Sequence, residues 1–254
     1  MELPANHFKK AIHDGRQQIG LWSSLANNIT TEVLAGAGFD WILIDAEHAP
    51  NDVRTVLGQL QALMEYPATQ PIVRVPENDK IEIKRYLDIG VQSFLVPMIE
   101  TPEQAAEAVA ATRFPPDGLR GFAGVSRSSR FGRIPGYHKK AQDEICVLVQ
   151  VESLVGLDNI EKISAVPGID GVFIGPGDLS ADMGLLGDQG HHDVVELIEK
   201  SIKRIVAAGN RPGILTGDEA LARRYMAAGC LFTAVGLDTG ILARGAEALA
   251  NKFK

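Results

Sequence analysis

The chain has 254 residues, with 25 Lys plus Arg against 32 Asp plus Glu, for a formal net charge of −7. An acidic balance without runs of like charge argues against nucleic acid and anionic membranes as partners. Cys146 and Cys230 stand far apart with no CxxC spacing, so neither a disulfide framework nor a zinc cage is written here. The start, Met1-Glu2-Leu3-Pro4-Ala5-Asn6, lacks a basic patch followed by an apolar stretch. No apolar run approaches the roughly 18 residues of a membrane span, and the expectation is a cytoplasmic protein without signal peptide.

Short apolar strands alternate with amphipathic helices. A short helix near 6–14 leads to a strand near 19–23, a helix near 29–37 and a strand near 41–45. Then follow a helix near 52–65, a strand near 72–75, a helix near 79–89 and a strand near 93–97. A helix near 102–113 opens with Thr101-Pro102-Glu103-Gln104, which reads as N-cap, first-turn proline and capping-box Gln. The second half continues with strands near 146–151, 171–175, 212–215 and 232–236, separated by helices near 154–165, 193–208 and 217–228 and followed by one near 239–252. Runs such as Trp41-Ile42-Leu43-Ile44 and Cys146-Val147-Leu148-Val149 are apolar throughout, as strands buried on both faces should be. Gly38, Gly90, Gly168, Gly209 and Gly229 each stand between a helical run and the next strand, where a left-handed helix end is wanted.

Eight strand–helix units in one chain of this length predict a single α/β domain over residues 1–254, a (β/α)₈ TIM barrel. The rival, a doubly wound open sheet, would carry a glycine fingerprint after its first strand, and Leu21-Trp22-Ser23-Ser24-Leu25 has none. One connection, residues 114–144, is rich in glycine and arginine and has no period; a loop of that length reads as a functional flap or an interface.

In a barrel, the active site is built from the carboxyl ends of the strands. Those ends bring Trp22-Ser23, Asp45 with Glu47 and His48, Arg74, Pro97-Met98, Gln150 with Glu152, Pro176 to Asp178, Leu215-Thr216 and Gly236 to Asp238. No strand ends in a lysine, which leaves Schiff-base chemistry without a nucleophile. Glu152 and Asp178 follow adjacent strands, and a pair of carboxylates completed by waters and substrate oxygens is a common way to hold Mg²⁺. The bland alternative for Asp178 is a helix N-cap before Leu179-Ser180. His48 is placed to act as a general base. Arg74 ends an apolar strand that has no structural need of a guanidinium, and its partner is either a structural carboxylate or a developing oxyanion. Gly175-Pro176-Gly177-Asp178 reads either as a helix start suited to an anion or as a tight turn. Asp88 lies in the last turn of its helix, toward the rim opposite His48.

Taken together, Gly20-Leu21-Trp22, Asp45-Ala46-Glu47-His48-Ala49-Pro50-Asn51, Val73-Arg74, Leu87-Asp88-Ile89-Gly90, Val149-Gln150-Val151-Glu152, Gly171 to Ser180 and Phe232 to Gly236 resemble the HpcH/HpaI aldolase family over nearly the whole chain. Within it the sequence is similar to the 2-dehydro-3-deoxyglucarate and 4-hydroxy-2-oxoheptanedioate aldolases. The resemblance implies a class II pyruvate aldolase dependent on a divalent ion (Mg²⁺, Mn²⁺ or Co²⁺), with Glu152 and Asp178 as metal ligands. It implies His48 as proton acceptor, Arg74 as stabiliser of developing charge, and Asp88 as the residue that raises the basicity of His48. Given where Asp88 falls, that last role would need a neighbouring subunit. Gln150, Gly177 and Asp178 fall on positions that hold the oxo acid, and Trp22 and Leu215 are further substrate-binding candidates. A homohexamer whose subunits exchange the helix near 239–252 is also implied.

Ala46 replaces the family's usual Gly, Gly177 stands where Ala or Ser is commoner, and the segment 121–131 departs from the commonest family loop, which bears on aldehyde specificity. The residues around Asn27 to Glu32 and Val75-Pro76 look more like the deoxyglucarate type, and Arg127 or Arg130 is a candidate for the aldehyde's distal carboxylate. The expected reaction is cleavage of 2-dehydro-3-deoxyglucarate to pyruvate and tartronate semialdehyde. The alternative is cleavage of 4-hydroxy-2-oxoheptanedioate to pyruvate and succinate semialdehyde. Two rivals are a lyase acting on a CoA ester, for which no basic aromatic-lined stretch is present, and a non-catalytic sugar-acid-binding barrel, whose mark would be loss of Glu152, Asp178 or Arg74.

Overall fold

The computed structural model describes residues 1–254. Eight parallel strands close into a barrel in sequence order: β1 (Gln18–Ser23), β2 (Trp41–Asp45), β3 (Gln70–Arg74), β4 (Ser93–Val96), β5 (Cys146–Val151), β6 (Gly171–Ile174), β7 (Pro212–Leu215) and β8 (Phe232–Leu237), which returns to β1. The crossover helices are α2 (Asn28–Ala35), α3 (Val53–Leu63), α4 (Lys80–Asp88) and α5 (Pro102–Thr112) in the first half. Those of the second half are α7 (Leu154–Asp158), α8 (Ile160–Ser164), α9 (Pro176–Asp182), α10 (His192–Ala207), α11 (Glu219–Ala227) and α12 (Asp238–Ala250). A leading helix, α1 (His7–His13), and a single turn, α6 (Tyr137–Lys140), complete the set. No helix is long and apolar enough to cross a membrane.

Two cores follow from the two-residue period of the strands. Ile42, Ile44, Val73, Val147, Val149, Val151, Val172 and Ile174 point outward into a large layer shared with the helices. Trp41, Leu43, Ile72, Leu95, Cys146, Leu148, Phe173 and Phe232 point inward, and Phe8 of α1 joins them. The same inward columns continue upward to Asp45, Arg74, Gln150 and Glu152, so alternation alone delivers these polar groups to the strands' carboxyl rim. The interior is crowded enough that a side chain at Gly20 would collide with the Trp41 indole, its Cβ only 2.1 Å away.

Most element boundaries fall within two residues of expectation. The five glycines expected to end helices have φ between +78° and +113°, and Thr101 and Gln104 form the expected capping box. The helix expected over 154–165 is broken at Asn159, whose φ of −98° and ψ of 7° leave the helical region. Its Nδ2 instead donates to the Glu100 carbonyl at 2.9 Å.

The connection over 114–144 joins the end of α5 to the start of β5, which places it beside the amino ends of the strands. It is therefore no flap over this chain's own carboxyl rim. It carries α6 and a 3₁₀ turn (Ala141–Glu144) that are too short to leave a hydrophobic period in the sequence. Arg120 anchors it, buried with its guanidinium 3.6 Å from Asp88 and stacked 4.4 Å from the Phe114 ring centroid and 5.6 Å from that of Tyr137.

Candidate active site

At the carboxyl rim, the register of β2 on β3 sets Asp45 beside Arg74. Arg74 donates from Nε to Asp45 Oδ1 at 2.9 Å and from Nη2 to Oδ2 at 2.7 Å. Its Nη1 lies 2.8 Å from Glu47 Oε2. The guanidinium rests over Trp22, 4.9 Å from the ring centroid, and Trp22 Nε1 donates to Asp45 Oδ2 at 3.2 Å. Asp45 also accepts the backbone N–H groups of Glu47 and His48, at 3.0 and 3.3 Å. Burial raises the Asp45 carboxyl, but the Arg74 bonds and charge and these two N–H groups overcome it and hold the group below its ordinary range. The open question for Arg74 is answered on the structural side: it has a carboxylate partner in the resting protein.

That partnership orients the loop after β2. Asn51 donates to the Asp45 carbonyl at 2.6 Å and is itself held by Gln59 at 2.7 Å. The His48 side chain is thereby held out into the mouth, 67% exposed, with Nε2 3.9 Å from Glu47 Oε2. Burial raises the Glu47 carboxyl, and the charges of Arg74 and His48 only partly offset this.

Across the barrel, Glu152 is buried just beyond β5. It accepts the backbone N–H of Met98 at 2.9 Å, a bond made possible by the left-handed φ of +55° at Met98. Its other oxygen takes the Gln150 amide at 2.5 Å. Gly175 makes room for it, since a Cβ there would sit 2.4 Å from Glu152 Oε2. Burial pushes the Glu152 carboxyl up to about 7, and the negative charges of Glu47 and Asp178 push the same way.

Asp178 follows β6 in the first turn of α9, whose N-cap is Gly175 with no side-chain cap bond. The helix starts before Asp178, so this acid is not its N-cap; its carboxylate is exposed toward solvent. A side chain at Gly177 would meet only Gln189, at 3.5 Å, an ordinary contact. Leu215 ends β7, half-buried.

No group of three or more His, Cys, Asp or Glu side chains gathers as a ready-made metal cage. The residues present nonetheless fit a hard divalent ion. Glu152 and Asp178 are carboxylates with no cationic partner, and Gln150 Oε1 is buried without a hydrogen bond. The remaining ligands would come from water and substrate.

Three residues expected at the site lie elsewhere in the chain. Asp88 ends α4 at the opposite rim and pairs with Arg120 there, so within one chain it does not meet His48. Arg127 and Arg130 line a hollow beside Thr69, Pro71 and Val91, at the amino ends of β3 and β4, and cannot reach an aldehyde in this chain's own mouth. Sequence reading named Asp45, Glu47 and Met98 as strand-end residues but gave them no role. The signal for Asp45 was the strand-end acid facing a strand-end arginine one strand over; nothing in the sequence marks the backbone of Met98.

A parallel barrel with acids, one arginine and a histidine on the carboxyl rim has the layout of a barrel enzyme's active site. The chain belongs to the HpcH/HpaI aldolase/citrate lyase family, whose model matches residues 18–245, and it is an aldolase. It is 57% identical over 251 residues to the hydroxypyruvate/pyruvate aldolase of Deinococcus radiodurans, covering 98% of this chain and 90% of that one. It is 56% identical over 249 residues to a 4-hydroxy-2-oxo-heptane-1,7-dioate aldolase of Salmonella heidelberg, covering 98% and 94%. Among solved structures, a family protein from Burkholderia cenocepacia J2315 superposes with a TM-score of 0.94 at 42% identity, over 98% of this chain and 99% of that one. The citrate lyase beta subunit of M. tuberculosis, solved with oxaloacetate and magnesium, shares the fold at a TM-score of 0.58 and 18% identity, over 87% and 92% of the two chains.

The elevated Glu152 carboxyl has a consequence for stability. Its folded value near 7 lies above its ordinary value of 4.5, so its contribution is fully present below about pH 4.5 and is lost as pH rises through 7. Metal-free wild type should therefore lose stability relative to Glu152→Gln between those values, by on the order of 3 kcal/mol. Urea unfolding of both proteins at pH 5 and pH 8 measures it; parallel pH profiles would show that Glu152 is not strained by its charge.

Proposed function

We propose that this protein is a divalent-metal-dependent pyruvate aldolase that reversibly cleaves a 4-hydroxy-2-oxo acid between carbons 3 and 4, releasing pyruvate and an aldehyde. The observation that carries the reading is the buried Glu152 carboxylate, oriented by Met98 and Gln150 and facing Asp178, with no cation to neutralise it. Glu152 and Asp178 would hold the ion. When bound, the ion supplies Lewis-acid stabilisation of the charge that develops on the substrate's keto oxygen.

The chain's own residues do the rest. Gln150 spends its amide N–H on Glu152 and leaves Oε1 free to accept from a substrate hydroxyl or water. His48, exposed at the mouth, takes the proton of the 4-hydroxyl, and Glu47 at 3.9 Å stabilises the imidazolium that results. Arg74 keeps spare N–H groups beyond those held by Asp45 and Glu47, and it shares the developing negative charge at a fixed position. Trp22 forms the floor under that guanidinium. An action of Asp88 on His48 runs between subunits in this reading. Oligomer formation has support in α12, whose apolar Ile241, Leu242 and Leu249 stand exposed to solvent.

For the substrate, the ranking drawn from the sequence gives way to its alternative. Relatives at 56% identity are named for the heptanedioate. We therefore place 4-hydroxy-2-oxoheptanedioate ahead of 2-dehydro-3-deoxyglucarate. A second reading, with hydroxypyruvate as the nucleophile in the synthetic direction, has the support of the relative at 57% identity.

Pyruvate release from the two acids, with and without EDTA, tests the proposal. Chelation should abolish turnover and Mg²⁺ or Mn²⁺ restore it, with kcat/KM favouring the heptanedioate. Full activity in EDTA would end the class II reading, and a clear preference for the deoxyglucarate would reverse the substrate ranking alone. Arg74→Ala leaves Asp45 buried without its partner, a loss of about 3–5 kcal/mol of stability, so Arg74→Lys is the cleaner probe. It should keep the fold and lose roughly 10²-fold in kcat, because one ammonium cannot hold Asp45 bidentately and also meet the substrate. Near-wild-type turnover in Arg74→Lys would remove Arg74 from the reaction.

A further inference from the structure

On the face opposite the active site, a cavity of about 350 Å³ opens between the amino-terminal segment, the end of α3, the start of β4 and the long connection. That volume falls within the range of small-ligand pockets. One wall is apolar and buried, formed by Leu60, Leu63, Val91 and Ile145. Arg127 and Arg130 stand on the other, and no carboxylate lines any part of it.

Neither of these two arginines takes part in any of the protein's ion pairs; Arg54, Arg113, Arg133 and Arg211 are likewise unpaired, but only Arg127 and Arg130 line this cavity. Arg127 is half-buried and spends its N–H groups on the Ile89 carbonyl and, at 3.2 Å, on the Met64 thioether, a weak acceptor. Burial and the like charge of Arg130 make its protonated form less favourable than usual. Gly90 leaves the room its guanidinium occupies, since a Cβ there would lie 2.9 Å from Arg127 Nη1. The backbone pays for this placement: Arg130 and Phe131 both adopt left-handed φ, at +51° and +57°. Ser129 braces the turn, its hydroxyl donating to the Ser126 carbonyl at 3.0 Å and accepting the Gly132 N–H at 3.0 Å. Strain held by a dedicated brace, with two like charges brought together, points to something other than packing.

We propose that this cavity is a second ligand site, for a small organic anion with a carboxylate or phosphate head between Arg127 and Arg130 and a short apolar body against Leu60, Leu63 and Val91. Guanidinium forks suit such oxyanions, and the bound anion neutralises charge that the chain itself leaves unanswered. The site lies at the strands' amino ends, away from this chain's own metal and oxo-acid rim, and the proposal does not depend on the function proposed for that rim.

The test uses metal-loaded enzyme with its active site saturated by pyruvate. Inorganic phosphate in one arm and succinate in the other are titrated by calorimetry, against chloride at matched ionic strength. Wild type should bind at least one of them at a single site, the stronger arm identifying the head group. Arg130→Gln, whose side chain makes no hydrogen bond in the protein, should weaken that binding tenfold or more; Arg127→Gln should do the same, and Arg127→Lys should recover part of it. Arg74→Lys should leave it unchanged, and turnover without added anion should be unchanged in Arg130→Gln. Binding no stronger than chloride, or equal affinity in wild type and Arg130→Gln, would overturn the proposal.

Discussion

Asp45, Glu47, Glu152 and Asp178 stand at the carboxyl rim of this barrel, and a single guanidinium is placed among them. Asp45 takes two N–H groups along one edge of Arg74, and Glu47 forms an ion pair with Nη1, which uses that positive charge on one side of the mouth. Glu152 and Asp178, on the other side, are left without a cation. Burying an unpaired carboxylate is costly, and Glu152 registers the cost as an upward shift of its carboxyl to about 7. The rest of the site is arranged around this imbalance. The left-handed Met98 backbone and the Gln150 amide fix the direction of Glu152, and Gly175 leaves it room. Such a rim fits the oxygen-ligated divalent ion proposed for it.

The barrel supplies this arrangement without special devices. Alternation along each strand sends one residue to the helices and the next to the interior, and parallel register sets equivalent heights side by side. Asp45 and Arg74 are paired because β2 and β3 are in register at their last residues. Beneath them the inward columns turn apolar, ending in Phe8, Trp41 and Phe232. Polar chemistry at one end and a packed floor at the other come from the same period.

That period is why the fold and half of the site were legible in the sequence. Apolar runs, helix-ending glycines and the Thr101 capping box each state a local preference that the barrel satisfies, and strand ends can be read off once strands are known. The candidates Glu152, Arg74, His48 and Gln150 were placed at the rim that way. What the sequence hides is which partner a side chain meets. Arg74 was readable as paired, but the division of its N–H groups between Asp45 and Glu47 depends on register. The end-of-helix position of Asp88 already set it at the opposite rim, whereas the place of Arg127 there depends on the course of the long connection. The Met98 backbone bond has no side-chain signal, and the break at Asn159 reflects a tertiary bond to Glu100 that overrides a helical pattern.

The protons released when metal binds report the uncompensated rim charge. A carboxyl near 7 is about half protonated at pH 7, and an ion ligated by Glu152 must expel that proton. Calorimetric titration of metal-free protein with Mn²⁺ at pH 7, in buffers of different ionisation enthalpy, should report roughly half a proton released per ion, and none in Glu152→Gln. Binding of Mn²⁺ with no proton release in wild type would contradict the account, because Glu152 would then be already charged and already at ease.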